Sequence, residues 1–524
     1  MHKAAPLLIY EYNSPQNRLK QIISPQASYL CAYLEGLHAK TVIEEQNYFD
    51  RDYLDEFAEF YSQSSRGYPN ICRRLHFFST DKIDRSLLEK AASNNYQAKG
   101  VFQSSYLGFI VIRPISSAPL GRTVLKWFTD KEKSTNPRIT TPSRRYTSNL
   151  TGLELKIHSL AWQQQDTGVS ACATVSLWSM FHSSAFDAHH SIPTTAQITK
   201  SAHLTASLGS RVFPSKGLSV SQILEAIKAQ NLAPAMTSGD LHVPTPGGGL
   251  LQCFSKKKLA SSCAAFIRSG YPVLILGRYT HFASTDGHMI CAVGFRDSTT
   301  YEIDPGQYAV FDEAVDVIYI HDDNIGPNVR CTISEDPGNR AAIIETSPPP
   351  YAHPDTRAPA TQHKFLPEAI IVAVHEELRI SSDDFFLSGM AKTHNLSNLL
   401  NAVYAAAGEP QPRLLFSTQF LDIRSYQGKE LPRHFGKDNP VLAKVQLALT
   451  ETIPPLSLHI GLLRIAIENG AISLLMDVIF DTTESDRNTP VFAHIIYDKA
   501  LFNILSKVDP DLVKQLFGDQ VQGF

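Results

Sequence analysis

The 524-residue chain has no C-x-x-C pair among its seven cysteines, no apolar run near the ~18 residues that span a bilayer, and no excess of positive charge. Each absence excludes a class of protein. Cys31, Cys72, Cys172, Cys253, Cys263, Cys291 and Cys331 are widely spaced, which points away from a zinc ribbon or a thioredoxin-like couple. Their odd number fits a reducing compartment better than a disulfide framework. With 48 Lys+Arg against 51 Asp+Glu the formal net charge is −3, so nothing collects a phosphate backbone and no nucleic-acid partner is expected. The opening MHKAAPLLIYEYN meets Glu11 too early for a secretory h-region, and with no membrane span the expected location is the cytoplasm. Charged residues make up 19% against a usual ~25%, while the hydrophobic 43% is ordinary, so disorder is not expected over most of the chain.

At roughly 100–200 residues per domain the length implies about three domains, and the expected fold class is α+β and multidomain. Residues 1–130 read as an N-terminal α/β domain. Tyr53, Leu54, Phe57, Phe60 and Tyr61 recur at helical spacing behind Asp50 as N-cap, a second helix is expected over Asp84–Ala92, and YLGFIVIRP reads as a strand closed by Pro114. Residues 131–150 are polar, contain Pro137 and Pro142, and read as a linker in which Arg144-Arg145 is solvated. Residues 151–330 form the expected central domain. The proline-rich 347–363 reads as a second linker, and 364–524 as a C-terminal α+β domain with no motif tied to a reaction. There His375-Glu376 begins like a zincin helix, but Arg379 stands where the second histidine is required, and Asp477, Asp481 and Asp486 read as a solvated rim.

The chemistry lies in the central segment. In WQQQDTGVSACATVSLWSM, Gln163, Gln164 and Gln165 precede Cys172, which opens a helix whose Val175, Trp178 and Phe181 share one side. A cysteine in that place sits at the positive end of the helix dipole beside unpaired N–H groups, which favours the nucleophilic thiolate. The same N–H groups and a glutamine amide can form an oxyanion hole. RSGYPVLILGRY reads as a helix end at Gly270 and a strand, DGHMICAVGFRD as its antiparallel neighbour opened by His288, and TYEIDPGQY as a returning strand that brings Asp304 to the histidine. A carboxylate there would orient the imidazole as the third member of a triad.

Gln165, Cys172, His288 and Asp304-Pro305, in that order, resemble the papain-like cysteine peptidases, in the branch that includes the double-glycine leader peptidases of bacteriocin exporters. The resemblance covers roughly Leu153–Asp323 and includes an intervening helix over GLSVSQILEAIKAQN. It implies a central papain-like domain, its catalytic helix packed on an antiparallel sheet, with Cys172 as nucleophile, His288 as base, Asp304 as orienting carboxylate and Gln165 at the oxyanion hole. It implies a protein or peptide substrate cleaved through an acyl-enzyme, without metal or cofactor. Family members commonly have Cys-Gly where this chain has Cys172-Ala173, and their glutamine commonly lies six residues before the cysteine, a place held here by Asp166.

The residues also admit plainer readings. His281 competes with His288, Asp304 can simply cap a turn before Pro305-Gly306, and any of the three glutamines can serve the oxyanion hole. Gly247-Gly248-Gly249 lacks the Lys-Ser/Thr of a phosphate loop and reads, with Gly239 onward, as a surface loop. The functional alternatives are a catalytically silent papain-like scaffold that binds a protein partner, and an amidase or acyltransferase with the same triad.

Overall fold

A computed structural model of the chain describes residues 7–65, 67–129, 137–166, 168–187, 191–205, 211–215, 217–244, 248–279, 287–296, 301, 303–346, 364–452, 458–483 and 491–521. The fold is α+β, and none of its described helices is long and apolar enough to cross a membrane. The chain forms two compact units. The first comprises Met1–Ser255, Gly270–Arg296 and Val317–Ala373; the second comprises Lys256–Ser269, Asp297–Asp316 and Val374–Phe524. These units cut across the expected boundaries, because residues 1–130 share a unit with most of 151–330, while 256–269 and 297–316 leave the central segment for the C-terminal unit.

The first unit begins with an antiparallel sheet in which Leu8–Glu11, Thr41–Tyr48, Cys72–Phe78, Tyr106–Ile112 and Leu120–Leu125 pair in chain order. Asp50 caps the helix Arg51–Glu59, accepting from the N–H groups of Asp52 and Tyr53, and Asp84 caps Arg85–Ala92. Tyr53 and Tyr61 of the expected aromatic stripe are buried. From residue 138 the expected linker is mostly strand. Arg138–Ile139 pairs with Phe295 and Arg296, and Arg144–Leu150 forms a hairpin with Leu153–Ser159. Its two-residue turn, Thr151-Gly152, has φ of 50° and 85°, the left-handed pair that matches strand twist. Arg144, expected in a solvated loop, pairs with Asp187 at 2.7 Å. The second expected linker, 347–363, lies outside the described residues.

Six strands then close on themselves. Val273–Tyr279, His288–Arg296, Val317–Asp322, Gly326–Glu335, Ala342–Thr346 and Lys364–His375 pair antiparallel in that order, and the last pairs back on the first. Closure brings backbones close at Gly277, where a Cβ would stand 2.1 Å from the Leu366 carbonyl oxygen and where the register shifts. The helix Cys172–Phe181 packs on this barrel with Ala173 to Phe181 all buried, and the Ser176 hydroxyl donates to the Met289 carbonyl at 3.0 Å. The expected intervening helix spans Val220–Lys228 and opens with a Ser219/Gln222 capping box. Leu241–Pro244, expected as loop, pairs with Leu250–Cys253 as a hairpin.

The second unit is a six-stranded sheet in the order Tyr308–Val310, Arg413–Asp422, His459–Glu468, Ile472–Asp481, Val491–Ile496, Asp519–Val521, parallel at its two outer pairs and antiparallel between. Asp477 is not on a solvated rim: it is fully buried and accepts from Tyr426, Tyr497 and the Arg464 guanidinium. Such a buried carboxylate is tolerated because both of its oxygens accept from donors. Asp481 accepts from Thr483, and Asp486 lies outside the described residues. His375 ends a strand rather than sitting on a helix, and its ring stacks on His459 at 4.2 Å.

Candidate active site

Cys172 is the first residue of its helix, half-buried, and no side chain caps that helix end. The leading N–H groups are therefore left for a ligand. The other six cysteines are also free thiols, and burial pushes all six up, Cys31 and Cys253 to about 11 and Cys263 to about 12. They remain protonated packing residues.

His288 opens its strand directly after Gly287, with the side chain 10% exposed. The pairing of Cys291 with His321, followed one step further, sets Asp322 level with residue 290. Side chains alternate along a strand, so Asp322 shares a face with His288 and reaches it on the diagonal. Asp322 Oδ1 lies 3.2 Å from His288 Nε2, and the Cys172 side chain is among the groups that act on the ring. With Nε2 given to the carboxylate, Nδ1 is the nitrogen left for the thiol. Burial by itself would lower the His288 pKa. The Asp322 charge and hydrogen bond, the Cys172 hydrogen bond and the Asp323 charge outweigh it and hold the ring well above its ordinary value. The Asp322 carboxyl is held down against its own burial by His288, Tyr279 and the Asn324 N–H. Tyr279 also donates to Asp322 Oδ2, Trp162 donates to its carbonyl at 3.0 Å, and the rings of Tyr279 and Phe365 wall the imidazole at 5.3 and 6.2 Å.

Asp304 does not meet this histidine. After His288–Arg296 the chain leaves the barrel, and 297–316 belongs to the second unit, where Asp304 is exposed on a turn and accepts through its carbonyl from the Gln307 N–H. The following residues, Tyr308–Val310, pair parallel with Arg413–Asp422. The strand that returns beside His288 is Val317–Asp322, whose VIYIHDDN was the available signal: an apolar run ending in two acids and an amide. His281 lies outside the described residues.

Of the three glutamines, Gln164 turns away, its side-chain oxygen accepting from Leu120 N–H at 3.3 Å, and Gln163 is buried. Gln165 faces the site, donating to Asn324 Oδ1 at 3.4 Å, while Asn324 Nδ2 lies 3.4 Å from His288 Nε2. Asp166, in the place the glutamine usually holds, winds the loop instead: Oδ1 accepts from the N–H groups of Gly168, Val169 and Ser170 at 2.7, 2.6 and 3.2 Å. The N-terminal layer grips the same loop, Arg113 donating to the Gln164 carbonyl and the Ser170 hydroxyl donating to Glu56. No protein-family model matches the chain, and no curated protein matches it.

Proposed function

We propose that the protein is a papain-like cysteine peptidase, a thiol hydrolase whose triad is Cys172, His288 and Asp322. The observation that carries this reading is the His288 ring, held 3.2 Å from the buried Asp322 carboxylate, with the Cys172 side chain among the groups that raise its pKa. His288 takes the thiol proton, and the thiolate attacks the carbonyl carbon of a peptide or isopeptide bond. The oxyanion is held by the N–H groups at the start of the nucleophile helix and by the Gln165 amide. Collapse transfers the proton from His288 to the leaving amine, and a water deprotonated by His288 then cleaves the thioester. Asp322 fixes the ring and balances its charge, the task the sequence reading gave to Asp304.

The test is alkylation of the full chain by a haloacetamide with peptide mapping by mass spectrometry, which separates Cys172 from the half-buried Cys31. Wild type is expected to label at Cys172, with the signal lost in Cys172→Ala and slowed at least about tenfold in His288→Ala. Unchanged total labelling of Cys172→Ala would sink the assignment.

A further inference from the structure

The His288 edge that faces Asp322 carries a feature the thiol reaction does not use. Asp323 Oδ1 lies 3.5 Å from the same Nε2, its side chain is 1% exposed, and neither carboxylate oxygen has a hydrogen-bond partner in another residue. A buried carboxylate without donors is costly, and a cation removes that cost. We propose that His288 Nε2, Asp322 and Asp323 form a site for a divalent cation of the zinc type, and that filling it switches Cys172 off.

The spacing suits that ion. Tetrahedral zinc with bonds of about 2.0–2.1 Å holds its ligand atoms about 3.3 Å apart. The two carboxylate oxygens stand 3.2 and 3.5 Å from Nε2, and the three donors all lie within 4.8 Å of one another. One imidazole and two carboxylates in a dry site match zinc better than magnesium, which prefers six oxygens and keeps its waters. Asp322 would retain Tyr279 and the Asn324 N–H as outer partners that orient it on the metal.

The consequence follows from the ring. A metal on Nε2 displaces the proton there to solvent, and the one proton left on the neutral imidazole sits on Nδ1, facing Cys172. That nitrogen then has no lone pair to take the thiol proton, so the ion silences the base. The switching half rests on the thiol-hydrolase reading; the ion site does not.

The experiment titrates chelator-stripped full-length protein with zinc alone, by competition with a chromophoric chelator, and follows haloacetamide labelling of Cys172 in parallel. One zinc per chain is expected in wild type and in Cys172→Ala, with affinity at least about tenfold weaker in Asp323→Asn and His288→Gln. Asp323→Asn keeps the shape and removes a buried charge; His288→Gln is the second variant should it fail to fold. Stoichiometric zinc should suppress labelling and chelator restore it. Absent binding, Asp323→Asn binding as tightly as wild type, or binding lost in Cys172→Ala would overturn the ion site. Labelling unaffected by bound zinc would overturn the switch. A stripped wild type that never labels at Cys172 would refute the thiol reading while the binding result still decides the ion site.

Discussion

Arg113 Nη1 and Glu56 Oε2 lie 3.0 Å apart with both side chains almost wholly buried, and Asp166 Oδ2 stands 3.6 Å from the same nitrogen. The pair joins the N-terminal layer to the loop that precedes Cys172. Arg113 Nη2 donates to the carbonyls of Gln164 and Ala118, and Glu56 Oε1 accepts from Ser170 and Thr195 at 2.6 Å each. Burial pushes the Glu56 carboxyl up even though Arg113 pulls it down, so this ion pair is held by geometry and shared donors rather than by a large net gain.

Removing the cation should therefore be severe. Arg113→Met leaves two buried carboxylates facing each other and is expected to cost about 3–5 kcal/mol, read as a lower urea midpoint. Adding Glu56→Gln to it should recover part of that loss, because the second change removes one of the stranded charges. A double variant as unstable as the sum of the singles would contradict the coupling.

Two aspartates separate orientation from turn formation. Asp322→Ala should slow labelling of Cys172 by roughly 10²-fold, the usual scale of a positioned acid–base group, since Asp322 Oδ1, at 3.2 Å, is nearer the ring nitrogen than Asn324 or Asp323. Asp304→Asn, in an exposed turn, should leave the rate within about twofold of wild type. The reverse pattern would return Asp304 to the triad.

This contrast marks what the sequence could reveal. The places of Cys172 at a helix start and His288 at a strand start were legible because their signals are local: a polar loop before an apolar helix, and Gly-His opening an apolar strand. Asp322 lies 34 residues from His288, and the chain between them leaves the barrel to add Tyr308–Val310 to another sheet. Hairpin spacing then pointed to Asp304, because no local pattern records an excursion between two sheets. The glutamine was ambiguous for a related reason: only the approach of Leu120 from the N-terminal sheet turns Gln164 away. Asp477 looked like a rim because Arg464, its partner, is adjacent only through strand register.

The site should also shape stability against pH, measured with a chelator present. The raised His288 contributes stability that is complete below about pH 6.5 and is lost as pH climbs through its folded value. The lowered Asp322 contributes above about pH 4, and its share is lost as pH falls through its folded value. Denaturation midpoints of wild type and Asp322→Asn should therefore differ most between about pH 4 and 6.5 and converge in acid. Asp323 behaves as a raised acid, pushed up to about 7 chiefly by burial and helped by the Asp322 charge. Its contribution is lost as pH rises through 7, so Asp323→Asn should be more stable than wild type at pH 8. A variant less stable there would mean that the carboxylate has found a donor.

The loop before Cys172 offers a sharper test, because it separates oxyanion stabilisation from thiol reactivity. A Cβ on Gly168 would stand 2.7 and 2.8 Å from ring carbons of Phe60 and 3.1 Å from the Tyr61 hydroxyl, so in Gly168→Ala the Phe60 ring and the loop must move apart. Phe60 is only half-buried and can swing, which limits the loss to about 1–3 kcal/mol. Gln165 and the start of the helix move with the loop, and a displacement of about 1 Å is worth up to 10²-fold in rate. Acylation of Cys172 by an activated ester builds an oxyanion, whereas alkylation by a haloacetamide does not. Gly168→Ala should slow the first about ten- to a hundredfold and leave the second within about twofold, and Phe60→Ala in the same chain should restore the ester reaction. Equal slowing of both reactions would place the effect on the Cys172–His288 pair rather than on the oxyanion hole.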